Sequence, residues 1–138
     1  MLGEKIGEEQ GRVTSRRILK GDDFRYVKLE VTIETQLTLL GVKGTNLATY
    51  TVFERVPGQI YGEGQGIVMT ETGESAIWNG HGVARPTADG LGLTIAASIA
   101  FQAPATGALA RLNNVLVVVE HTAAGDGTAT STLFEWKS

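Results

Sequence analysis

A chain of 138 residues with 42% apolar and 20% charged side chains has the length of one domain, residues 1–138, and the composition of a folded protein. Its formal charge of −3 excludes the basic surface that nucleic acid or an anionic membrane demands. The absence of cysteine removes disulfide scaffolds, thiol catalysis and zinc–thiolate sites together and leaves the redox compartment open.

From the start, Met1 to Gln10 carries Glu4, Glu8 and Glu9 and no apolar run, unlike a secretory leader. The longest apolar segments, Ile95 to Ala105 and Val115 to Val119, are too short to span a bilayer, so the expectation is a soluble cytoplasmic protein. Arg12, Arg16 and Arg17 read as a solvated edge of a first strand. Reversals are expected at Lys20-Gly21-Asp22-Asp23, Gly41-Val42-Lys43-Gly44, Pro57-Gly58, Glu71-Thr72-Gly73, Asp89-Gly90 and Asp126-Gly127, where glycine or proline supplies the φ that a turn needs. Between the first two, Arg25 to Leu40 alternates strictly: Val27, Leu29, Val31, Ile33, Leu37 and Leu39 are apolar, with Lys28, Glu30, Thr32, Glu34, Gln36 and Thr38 between them. That is a strand with one face packed and one face wet. Leu91 to Gln102 alternates less cleanly, and Val115 to Val119 is continuously apolar, which predicts burial on both faces. Thr106 to Asn113 breaks the β rhythm and reads as one or two helical turns across an end of the β-structure, with Thr106 as a cap. Reversals spaced about 14–20 residues apart suit eight long strands joined as a meander. The expected fold is all-β: an eight-stranded, mostly antiparallel barrel, with a lipocalin-like barrel or a β-sandwich as the alternative.

The chain has eighteen glycines, well above the roughly 7% of average usage, and five of them, Gly62, Gly64, Gly66, Gly80 and Gly82, lie on one face of one hairpin. With Glu71-Thr72-Gly73 as a three-residue loop, Thr70 opposes Glu74, Gly66 faces Trp78, Gly64 faces Gly80 and Gly62 faces Gly82. The same register sets Glu63 against His81 and Gln65 against Asn79. A two-residue turn would shift every pairing by one. Glycine weakens a strand by roughly 0.5–1 kcal/mol relative to alanine, so such a row must be compensated. Sharp coiling and packing of Trp78 or Tyr61 over bare backbone rank first, and close approach of a ligand second.

Tyr61-Gly62-Glu63-Gly64-Gln65-Gly66, the Glu71-Thr72-Gly73-Glu74 turn, Trp78-Asn79-Gly80-His81-Gly82 and Glu135-Trp136-Lys137 resemble a small family of uncharacterised bacterial proteins. That family is similar in fold to the allene oxide cyclase and dirigent type of eight-stranded barrel. The resemblance covers most of the chain from about Leu37 onward. It implies the barrel and a tendency to form homo-oligomers. No catalytic residue of those proteins matches a position here.

Glu63, Gln65, His81 and Arg85 share one face of the hairpin and are the best candidates for ligand-binding chemistry, with Tyr61 and Trp78 as aromatic neighbours. Facing inward they would form a polar corner of a cavity. Facing outward, the preferred orientation, they are a solvated cross-strand patch. Both histidines, His81 and His121, read as surface residues on strands, and Glu120 and His121 point to opposite faces and cannot share a metal. The aromatics Phe53, Tyr61, Trp78, Phe101, Phe134 and Trp136 read as barrel core. No phosphate loop or nucleophile elbow is present, so no nucleotide, cofactor or metal is expected. Three functions remain: binding of a small apolar or amphipathic molecule in the interior, a cofactor-free isomerase or cyclase using Glu63, His81 and Arg85, or a self-associating module without ligand.

Overall fold

The structure, a computed structural model, describes residues 1–21 and 27–137. The reversal expected at Asp22-Asp23 and the strand start expected at Arg25 lie outside the described residues. Eight strands follow in order: β1 (Leu2–Leu19), β2 (Lys28–Leu39), β3 (Val42–Val56), β4 (Gln59–Thr70), β5 (Ser75–Pro86), β6 (Leu93–Gln102), β7 (Leu116–Ala123) and β8 (Thr128–Trp136). Each pairs antiparallel with the next, and β1 pairs with β8, so the sheet closes into a barrel in strict sequence order. The alternation in β2 decides its facing. Val31, Ile33, Leu37 and Leu39 are buried with Thr35 in their row, and Glu34 and Gln36 face out. In β6 the inward row is Ile95, Ile99 and Phe101, while Ala96 and Ala100 face out. Among the described residues no helix is long and apolar enough to cross a membrane.

Three local expectations are corrected. The outer side of β7 is uncovered: Val117 is fully buried, but Leu116 is 47% exposed, because the wall of a barrel is a single layer with only one dry face. The reversal after β2 is Leu40-Gly41, with φ of +51° and +78°, and not 41–44; two positive φ values in a two-residue loop match the twist of the flanking strands. The helical segment is a 3₁₀ turn over Ala110–Asn114 that starts after Thr106, and Leu109 stands at its head with no side-chain cap. Asn113 fixes the preceding loop by accepting from the Ala103 N–H at 2.8 Å and donating to the Ala103 carbonyl at 3.1 Å.

That turn does cross an end of the barrel. Leu109 and Leu112 are buried against Ile6, Leu37, Leu39, Phe101 and Leu133, forming one of two apolar clusters. The second cluster fills the other half with Val31, Ile33, Tyr50, Val52, Ala84, Ile95 and Ala129. Trp78 packs against both clusters, and the space between them is the site described next.

Candidate functional site

The β4–β5 hairpin has the register that its three-residue loop dictates. Gly66 pairs with Trp78, Gly64 with Gly80, Gly62 with Gly82, and Glu63 with His81. The loop closes through the Thr70 N–H donating to the Glu74 carbonyl at 2.9 Å, with Gly73 at φ +90°. The paired glycines face the interior, and crowding explains most of them. A Cβ on Gly80 or Gly82 would run into the carbonyl oxygens of Ser98 or Ala96 on the neighbouring β6 strand. At Gly64 it would lie 2.7 Å from the Tyr50 Cβ, and at Gly66 its place is taken by the Trp78 indole. Gly62 is the least crowded of the five, its nearest neighbour being a Val52 methyl at 3.1 Å.

This bare backbone is one wall of a cavity of about 80 Å³ in the barrel interior. Leu37, Val68, Ile99, Phe101 and Val119 line the apolar remainder. Glu9, Asn46, Tyr50, Trp78, His121 and Ser131 form a polar corner.

Two chains of hydrogen bonds run through that corner and end on Glu9. In the first, Ser131 Oγ donates to Glu9 Oε1 at 2.8 Å, His121 Nδ1 lies 2.8 Å from Ser131 Oγ, and Tyr50 Oη lies 3.3 Å from His121 Nε2. In the second, Trp78 Nε1 donates to Asn46 Oδ1 at 3.0 Å, and Asn46 Nδ2 donates to Glu9 Oε2 at 3.0 Å. Thr35 Oγ1 is the third donor to the Glu9 carboxylate, reaching Oε2 at 3.0 Å. The arrangement satisfies polar groups that would each cost about 1–3 kcal/mol if buried unpaired. Burial drives the His121 pKa down to about 4, partly offset by a backbone hydrogen bond with Thr130, so the ring is neutral. Burial likewise pushes the Tyr50 phenol up to about 12, slightly opposed by the charge of Arg16.

The residues singled out from sequence divide. Glu63, Gln65, His81 and Arg85 are exposed on the outer face, and Glu63 and His81 are direct cross-strand partners there. Tyr61 joins them outside, edge-on to Phe53 at 5.6 Å and under the Arg55 guanidinium at 4.2 Å. Of the six, Trp78, Glu63 and His81 border the cavity, the last two from strand positions whose side chains are exposed on the outer face. The aromatics read as core are corrected too: Trp78 and Phe101 face inward, while Phe53, Tyr61, Phe134 and Trp136 have outward phase. His121, read as a surface histidine, is 7% exposed. Its phase was legible, since Val117, His121 and Ala123 share the inner row of β7. Tyr50 between Ala48 and Val52, and Ser131 between Ala129 and Leu133, carry the same signal. Glu9 sits between Gly7 and Gly11, where no bulky apolar neighbour marks the phase. Among the described residues no three His, Asp or Glu side chains gather as a metal ion would need.

No protein-family model matches the chain, and no curated protein matches it. Solved structures do. A conserved protein of unknown function from Rhodopseudomonas palustris superposes with a TM-score of 0.79 at 12% identity, covering 98% of this chain and 97% of that one. A beta-barrel like protein from Acinetobacter baumannii gives 0.79 at 12% identity, covering 99% and 96%. A protein with unknown function from Clostridium acetobutylicum gives 0.80 at 10% identity, covering 97% and 98%. At such identities the likeness establishes the closed all-β barrel and no activity.

Proposed function

We propose that the barrel binds one small apolar or amphipathic molecule in its interior, against the bare glycine wall of β4 and β5. The observation that carries this reading is the cavity of about 80 Å³, apolar except for the corner around Glu9, Tyr50 and His121. An engineered apolar cavity of about 150 Å³ accepts benzene, so the occupant here has only a few heavy atoms unless Trp78 gives way. Of the residues first suspected of ligand contact the reading keeps Trp78, and it takes Glu63, Gln65, His81, Arg85 and Tyr61 as a solvated outer strip. Mass spectrometry of gently purified protein tests it: wild type releases a bound small molecule, and Ala97→Leu, which fills the lining, releases none. A crystal structure with a filled interior and no released molecule overturns it.

A second reading, a cofactor-free isomerase or cyclase, is favoured by the Tyr50–His121–Ser131–Glu9 line beside the cavity, in place of the outer Glu63, His81 and Arg85. The finer kinship with allene oxide cyclase and dirigent barrels belongs to it, supported by eight antiparallel strands closing in sequence order. Solvent deuterium entering a bound carbonyl compound would support this reading, and no exchange above the protein-free rate would remove it. Self-association is a third reading, supported by a row of outward apolar partners, Leu47, Ile67 and Ile77, running across β3, β4 and β5. A cytoplasmic setting is part of the proposal, and fractionation of expressing cells checks it.

A further inference from the structure

The polar corner of the cavity has a hydrogen-bond polarity set by its own proton count. Glu9 as a carboxylate only accepts, and three donors converge on it from Ser131, Thr35 and Asn46. Ser131 has one hydroxyl proton, and the 2.8 Å bond to Glu9 Oε1 uses it. Ser131 Oγ can therefore only accept at its 2.8 Å contact with His121 Nδ1, which puts the proton of the neutral ring on Nδ1. Nε2 is then a bare lone pair, and the Tyr50 hydroxyl donates to it at 3.3 Å. The Trp78 N–H is likewise used up by Asn46 Oδ1 at 3.0 Å. The protons placed by these bonds all run toward Glu9, and the second Nδ2 proton of Asn46 is the one they leave unassigned. What remains on the Tyr50 oxygen, which lines the cavity and has no other hydrogen bond among the described residues, is lone-pair density.

We infer that the interior site selects a hydroxyl-bearing molecule, a small alcohol or enol whose O–H donates to the Tyr50 oxygen while its apolar body lies along the glycine wall. A ketone or ether of the same size brings only acceptors to an acceptor, and a hydrocarbon leaves the Tyr50 oxygen as it was. The inference rests on the reading of the cavity as a ligand site and adds the chemical class of the ligand.

The full-length protein is titrated with 1-butanol, 2-butanone and n-pentane, following the amide signals of Gly62 and Gly82 and the Trp78 indole N–H by NMR. Butanol is expected to bind about tenfold more tightly than butanone, the scale of one buried hydrogen bond. Tyr50→Phe is expected to bring the two within about twofold. Ser131→Ala releases the His121 tautomer without touching Tyr50, lets the phenol turn its proton toward the cavity, and narrows the ratio from the other side. It serves as the second variant if Tyr50→Phe fails to fold. Nitrogen-15 shifts of the His121 ring give an independent reading, with Nε2 unprotonated near neutral pH. Butanone binding as well as butanol, or a ring proton on Nε2, overturns the inference and leaves the cavity reading standing. No saturable binding by any of the three probes overturns both.

Discussion

At the scale of single residues, His121 carries the clearest consequence. Its folded pKa of about 4 lies below the ordinary 6.5, so between those values the unfolded chain holds more protons than the folded one. Stability therefore falls as pH drops from about 6.5 to about 4, by about 3 kcal/mol in full. Thermal denaturation across that range measures the slope, and His121→Gln is expected to flatten it while lowering stability at neutral pH by leaving Tyr50 and Ser131 short of a partner. Tyr50 has the opposite sign: raised to about 12, it favours the folded state less as pH climbs above 10. Ultraviolet titration should show a phenolate step near pH 12 that Tyr50→Phe abolishes. These inward residues were the hardest to read from sequence. Alternation assigns a facing by apolarity, and Glu9, Asn46, Ser131 and His121 are polar, so their place inside follows only from counting phase against buried neighbours.

At the scale of elements, turn chemistry and strand periodicity carried most of the information. The loop at Glu71-Thr72-Gly73 fixed every pairing of β4 with β5, because a three-residue loop with a left-handed glycine leaves one register. The β2–β3 reversal was misread for a physical reason: Leu40 takes φ +51°, a conformation a bulky residue rarely adopts, and its side chain is held by the core. The glycines divide into two predicted classes. Gly80→Ala and Gly82→Ala, which drive a methyl group into β6 backbone, should each cost more than about 2 kcal/mol in denaturant unfolding. Gly62→Ala, opposed mainly by one Val52 methyl, should cost less than about 1 kcal/mol. A uniform cost at all three would mean that curvature is not what these positions serve. The 3₁₀ turn is the other element with measurable weight: Leu112→Ala should cost about 2–5 kcal/mol, since Leu112 is 1% exposed and plugs the barrel end.

At the scale of the whole molecule, order and closure of the strands were legible because most described strands meet their chain neighbour across a short turn, the long β6–β7 link through the 3₁₀ turn being the exception among the described links. The purpose of the interior was not, since a tube can be filled or hollow with the same outward pattern. The outer apolar row of Leu47, Ile67 and Ile77 yields a prediction at this scale: if it mediates self-association, Ile77→Lys should shift wild-type oligomers to monomers in sedimentation velocity, with no loss of melting temperature. The seam between β1 and β8 then limits how copies can meet. Among the described residues it leaves no strand idle along a whole edge, and backbone paired on one side only is confined to overhanging ends such as Arg16–Leu19 of β1, which meets β2 but not β8. Assembly over the curved wall is left to side chains, strand backbone can take part only at such overhanging ends, and ribbon-like growth along a full strand first requires unzipping the seam.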